Sequence, residues 1–139
     1  MDSYISIGKV VLANKPLSNI ELVDAVQHLK IPNFRGVCLR DTLPKRPNQK
    51  ECGILNLDSS NGRGTHWVAW FKNKDDKYYF DSYGVQPPNE MIKYLQSPIL
   101  YNTEQIQQAD QVFCGHLCLY VLKEMSKEKG LQEIINGLY

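Results

Sequence analysis

Long apolar runs are missing from this chain of 139 residues. No stretch reaches the length needed to cross a bilayer, so no membrane partner is expected. The first dozen residues, Met1 to Leu12, lack the basic-then-apolar order of a secretory leader. That sets the expectation of an intracellular protein. A surplus of charge is missing too. The net charge is +1 at pH 7, which excludes a partner held by bulk charge alone, whether nucleic acid or membrane. Internal repeats and low-complexity segments are absent. Cysteines are few: Cys38, Cys52, Cys114 and Cys118. In an intracellular compartment they are free thiols rather than a disulfide framework.

What is present is ordinary for a soluble globular domain: 42% hydrophobic and 22% charged residues. The length fits one domain, residues 1–139, with one core. The most informative stretch runs from Gln108 to Met125. From Cys114 onward it reads as a helix, with Leu117, Cys118, Val121, Leu122 and Met125 recurring at the 3.6-residue period. Leu119 and Tyr120 add apolar side chains off that stripe, so the helix is expected to be buried nearly all round. Cys114 falls in the first turn. There the helix dipole and the free N–H groups favour the thiolate, the nucleophilic form. A buried structural thiol is the plainer alternative.

Cys114, His116 and Cys118 invite a zinc reading. On a helix each residue turns by about 100°, which points His116 away from the two sulfurs. No second close pair of ligands exists, so neither a metal nor another cofactor is expected.

Taken in order, Tyr4 to Leu12 reads as a short strand. Ser18 and Glu21 fit a capping box opening a helix that ends before Pro32. Its apolar side is read as Ile20, Val23, Val26, Gln27 and Leu29. Val37–Leu39 reads as a short strand, and residues 41–50, with two prolines, as exposed loop. Strands are expected over 52–57, 66–71 and 77–81, the last two joined by a turn at Asn73–Asp76. A helix starts at Asn89 with Met91, Ile92 and Leu95 inward and stops near Pro98. After the Cys114 helix, Gly130 breaks the chain before a last short helix. Helix, consecutive strands, then helices favours an α+β fold, a mostly antiparallel sheet packed on the central Cys114 helix.

The hairpin register has a chemical consequence. If the turn centres between Lys74 and Asp75, Val68 faces Asp81 and Tyr79 faces Trp70. His66 and Asp81 then become diagonal neighbours, roughly 7 Å apart between backbones. A one-residue slip would separate them onto opposite faces. A thiol nucleophile needs a base, and the base needs a carboxylate to hold its tautomer. His28 lies near the end of the first helix and His116 lies within the nucleophile helix, which leaves His66. The plainer reading has His66 merely capping a strand and Asp81 opening a turn.

Gly64-Thr-His66-Trp-Val-Ala-Trp, then Tyr-Phe-Asp81-Ser-Tyr-Gly84, then Gln108 and Cys114-Gly in that order, resemble the adenovirus-type (adenain-like) cysteine proteases. These share a clan with the SUMO-specific (Ulp-type) proteases. The resemblance covers about residues 18–125, including the first helix, Phe34-Arg-Gly36 and Ile54-Leu-Asn56 upstream. It implies a papain-like catalytic core in adenain-type order. Cys114 looks like the nucleophile, His66 the general base, Asp81 the residue that orients it, and Gln108 the oxyanion donor. Gln108 matches the SUMO-protease spacing, Gln107 a spacing one residue longer; Gln105 and Gln111 also precede the cysteine.

The implied function is a cysteine endopeptidase that processes viral or transposon-encoded capsid precursors at small or glycine-containing sites. Its partner would be a polypeptide substrate, and an activating peptide or DNA is implied by the family. Cys38 and Cys52 are the candidates for a disulfide to such a peptide, and Lys45, Arg46 and Lys50 for a local basic patch. Relative to this family the chain is short. A monomer is expected, in a virion and the host nucleus or cytoplasm if viral. The same residues could serve a deubiquitinase- or deSUMOylase-like isopeptidase, an acyltransferase, or an inactive binding module.

Overall fold

Ser18 opens the first helix as its sequence dictates. Its hydroxyl accepts the Glu21 N–H at 3.1 Å, and the Glu21 carboxylate accepts the Ser18 N–H at 3.0 Å. In the computed structural model, which describes residues 4–57, 66–106 and 113–138, this helix is α1, Asn19–Leu29. Its buried stripe is Leu22, Ala25, Val26 and Leu29, the i, i+3, i+4, i+7 set. The stripe expected from Ile20 and Val23 is out of phase with it, and those two are 75% and 38% exposed. Before α1, the single expected strand is instead a hairpin, β1 (Tyr4–Ile7) and β2 (Val10–Ala13). Gly8, at φ +57°, supplies the left-handed residue that its two-residue turn needs.

The main sheet is five-stranded, in the order β3 (Phe34–Leu39), β4 (Lys50–Asn56), β5 (Trp67–Asn73), β6 (Asp76–Phe80) and β7 (Leu100–Tyr101). It is mixed rather than mostly antiparallel. β4–β5 and β5–β6 are antiparallel, whereas β3–β4 and β6–β7 are parallel. The reason lies in the connections. Helix α2 (Asn89–Leu95) carries the chain from β6 back to a parallel β7, as a parallel pair requires. The proline-bearing loop 40–49 does the same between β3 and β4. β7 was not legible, because it is two residues long and both are exposed.

The sheet buries both faces. Cys52, Ile54, Trp67, Ala69 and Phe80 pack toward α3 (Cys114–Met125), with α1 and α4 (Leu131–Gly137) around it. Leu55, Val68, Trp70 and Tyr79 pack toward α2, where Met91, Tyr94 and Leu95 meet them. In α2, Tyr94 takes the inward place expected of Ile92, which is 37% exposed. Eight residues of α3 are buried, His116 among them. The β5–β6 register pairs Ala69 with Phe80 and Trp70 with Tyr79, as read from the turn.

A fully buried carboxylate ties the α2 face together. Glu51 Oε1 accepts from Arg35 Nη1 at 2.8 Å and from the Asn48 N–H at 2.7 Å. Its Oε2 accepts from the Trp70 indole at 2.7 Å and the Tyr94 hydroxyl at 2.6 Å. Gly53 makes this arrangement fit: a Cβ there would lie 2.2 Å from the Trp70 ring. Four donors converge on two oxygens, and only a carboxylate accepts all of them. Glu51→Gln turns an amide N–H toward two of those donors and is expected to cost about 3 kcal/mol. Urea unfolding at pH 7 measures it; a loss under about 1 kcal/mol would mean that water replaces the missing acceptor.

Candidate active site

His66 and Asp81 lie one residue outside the paired strands. His66 precedes β5, Asp81 follows β6, and the hairpin delivers both to the same end of the sheet. His66 Nε2–H donates to Asp81 Oδ1 at 2.7 Å. Because that nitrogen carries the proton toward a carboxylate, the neutral ring offers Nδ1 as its acceptor. Nδ1 is buried and, among the described residues, has no oxygen or nitrogen partner. Asp81 is 1% exposed.

Three residues hold Asp81. The Tyr83 N–H donates to Oδ1 at 2.8 Å, and the Gly84 N–H closes a turn onto the Asp81 carbonyl at 2.8 Å. Asn102 does the rest: its Oδ1 accepts the Asp81 N–H at 3.0 Å and its Nδ2 donates to the Asp81 carbonyl at 2.7 Å. Asn102 is buried and was missed in the sequence. It stands 21 residues from Asp81, and only the crossover through α2 brings it back. Gly84, at φ +74°, is required here; a Cβ would lie 2.5 Å from the Thr103 carbonyl oxygen.

Cys114 is the first residue of α3. The preceding Phe113 provides no side-chain cap, and the N–H groups of the first turn lie at the thiol end of the helix. Gly115 lets that end come close: a Cβ would meet Leu22 and Trp67 at 3.3 Å. Trp67 is itself fixed by its indole N–H on the Leu17 carbonyl at 2.9 Å.

The electrostatics couple the thiol to the imidazole. Burial pushes the Cys114 thiol up, but His66 and backbone hydrogen bonds from Trp67 and Gly115 outweigh it and bring the thiol below its ordinary value. Burial likewise disfavours charge on His66. The Asp81 carboxylate and the Cys114 thiolate reverse that and raise the imidazole to about 9. The other three thiols go the opposite way. Burial raises Cys38, pushes Cys52 up to about 12 and raises Cys118 well above its usual range.

The remaining sequence candidates are spread apart. His28 is exposed and donates from Nδ1 to the Asp24 carbonyl at 2.9 Å. His116 is buried and donates from Nε2 to the Ala13 carbonyl at 2.9 Å, fastening the β1–β2 hairpin to α3. Cys52 and Cys118 are fully buried in the core, and Cys38 is half-buried. Lys45, Arg46 and Lys50 are exposed, with Lys50 at the end of β4 away from His66. Gln107, Gln108 and Gln111, as well as the expected 58–64 loop, lie outside the described residues. Gln105 is within them and half-way along the stretch after Asn102.

No family model and no curated protein sequence matches the chain. Solved structures do. The crystal structure of the ASFV pS273R protease matches 88% of this chain and 61% of that one, with a TM-score of 0.65 at 19% identity. Its selenomethionine form matches 88% of this chain and 62% of that one, with a TM-score of 0.61 at 19% identity. The chain thus spans about three fifths of the length of the proteases it resembles, and it has their fold.

Proposed function

We propose that the chain is a cysteine endopeptidase in which Cys114 is the nucleophile, His66 the general base and acid, and Asp81 the residue that orients His66. The observation that carries the reading is the 2.7 Å bond from His66 Nε2 to Asp81. It leaves the opposite ring nitrogen for a thiol held at a helix start, and that thiol is the one of the four whose proton is loosened. The fold shared with a viral protease supports the same reading.

In this reading the resting pair is thiolate and imidazolium. The thiolate attacks the scissile carbonyl, and the oxygen takes up the charge. The Cys114 N–H and the Gln108 amide bind that oxyanion. His66 then gives its proton to the leaving amine, and the acyl group stays on sulfur as a thioester. Water, deprotonated by His66, releases it. We assign the substrates as viral or transposon-encoded capsid precursors cut at small or glycine-containing sites, in keeping with the family that the His66, Asp81 and Cys114 motifs resemble.

The pH dependence follows from the two shifts. Cys114 is an acid whose ionised form is favoured, so alkylation by iodoacetamide should set in well below the pH at which an ordinary thiol reacts. His66 is a base held protonated up to about 9, so peptide turnover should fall off as pH rises through that value, when the amine loses its proton donor. His66→Ala removes the largest group opposing burial at Cys114, raises the Cys114 pKa and abolishes turnover. Asp81→Asn hurts less, since its amide oxygen still accepts from Nε2–H and the Tyr83 N–H. Equal alkylation of all four cysteines in the folded protein, or full turnover by His66→Ala, contradicts the assignment.

Gln108→Ala should lower kcat about 10²-fold with little change in KM, because the amide bonds the oxygen mainly in the transition state. Alkylation of Cys114 should survive the change. A larger loss at Gln107 or Gln111 would move the oxyanion donor to that position.

A further inference from the structure

Asp81 lies just beyond the ladders on either side of it. The β5–β6 pairing ends at Ala69 and Phe80, and the parallel β6–β7 pairing ends at Tyr79 and Tyr101. The Asp81 peptide groups therefore fall outside both. Yet this residue keeps its carboxylate on His66 Nε2 at 2.7 Å. A backbone free to rotate at Asp81 would carry the carboxylate off the imidazole.

Asn102 supplies the missing rung. It follows β7 directly, and its side-chain amide carries the donor and the acceptor of a peptide group. Its Oδ1 accepts the Asp81 N–H at 3.0 Å, and its Nδ2 donates to the Asp81 carbonyl at 2.7 Å. Nδ2 also donates to the Glu104 carbonyl at 3.1 Å, which fixes the sense of the amide. Turned over, it would set Nδ2 against an N–H and Oδ1 against two carbonyls. Asn102 is 3% exposed, so these groups pair away from water, where leaving one unpaired is costly. Glutamine is a methylene too long for this place, and serine has one polar atom where two are needed.

We infer that Asn102 is a positioning residue that acts through Asp81: its amide fixes the Asp81 backbone and thereby the direction of the carboxylate that orients His66. The inference rests on the peptidase reading only for its effect on rate. Its effect on the His66–Asp81 bond needs no substrate.

The His66 Nε2–H proton reports that bond as a strongly deshielded ¹H resonance, and ¹⁵N NMR follows the imidazole through a titration. In Asn102→Ala the resonance should be lost and the His66 pKa should fall by about one pH unit, as the carboxylate's hold on the imidazolium weakens. In turnover assays kcat should fall about tenfold with KM nearly unchanged. Asn102→Asp keeps the size and is the sharper variant. Its carboxyl, when protonated, accepts with one oxygen and donates with the other, as the amide does. The proton goes to this carboxyl rather than to Asp81, which faces the imidazolium. Once ionised, it turns an acceptor toward the Asp81 carbonyl and sets a second negative charge beside Asp81. The resonance should therefore be present at acid pH and vanish as the new carboxyl ionises, while in the wild-type protein it persists over that range.

A merely structural Asn102 would lower the urea midpoint of both variants and leave the resonance and the His66 pKa of the folded protein at wild-type values. That result overturns the inference. So does a resonance in Asn102→Asp that does not change with pH, which decides the matter even where Asn102→Ala fails to fold. If both variants behave as expected but the wild-type protein cleaves no peptide, the role of Asn102 stands and the peptidase reading falls.

Discussion

The His66–Asp81 hydrogen bond is the constraint on which the candidate site depends. It forms only because β5 and β6 pair in one register, with Ala69 opposite Phe80. A slip by one residue would put imidazole and carboxylate on opposite faces of the sheet. The bond also decides the tautomer. With Nε2–H committed to Asp81, the lone pair of the neutral ring is on Nδ1, and the thiol proton has a place to go. Asp81 is buried at 1% exposure, so the bond works at low local dielectric, where a carboxylate favours an adjacent cation far more than in water.

The carboxylate in turn is kept in place by groups from two directions. Asn102 grips both its backbone N–H and its carbonyl, and the Tyr83–Gly84 turn closes from the other side. Asn102 can do this because α2 crosses from β6 to β7 on the sheet face away from α3. The Glu51 network on that same face, with Arg35, Trp70 and Tyr94, holds the crossover helix to the sheet. The chain thus keeps the Glu51 network under α2 and its candidate site at the end of the sheet where β5 begins and β6 ends. One buried carboxylate stabilises the fold, and the other orients a histidine.

Much of this was legible in the residues. The Ser18–Glu21 cap, the α3 period and the turn at Lys74–Asp75 are local signals, and they fixed the first helix, the cysteine helix and the β5–β6 register. What escaped was non-local. The parallel pairings depend on where crossovers land, and neither the loop 40–49 nor the two exposed residues of β7 carries a period. Asn102 is a lone polar residue until the chain returns it to Asp81. The α1 stripe was misread because Ile20 and Val23 are apolar yet face outward, while Leu22 and Ala25 make the packed phase. The Tyr83 ring lies face to face with His66, and that depends on a turn conformation set by Gly84 and Thr103, which no spacing rule encodes. Gln108 was chosen by resemblance to family spacing, and no local period or register fixes which glutamine serves.

The account turns on Cys114 attacking an acyl carbonyl with His66 beside it, and a substrate-shaped electrophile tests that most directly. The protein is incubated with a peptide ending in a Gly-Gly vinyl methyl ester, a Michael acceptor that a thiolate adds to as a stable thioether, and, separately, with a SUMO-like domain carrying the same warhead, and the adduct is mapped by mass spectrometry. The account predicts a single adduct on Cys114 with the short peptide, lost in His66→Ala. An adduct on Cys38, no adduct at all on the folded protein, or unchanged labelling of Cys114 in His66→Ala would contradict it.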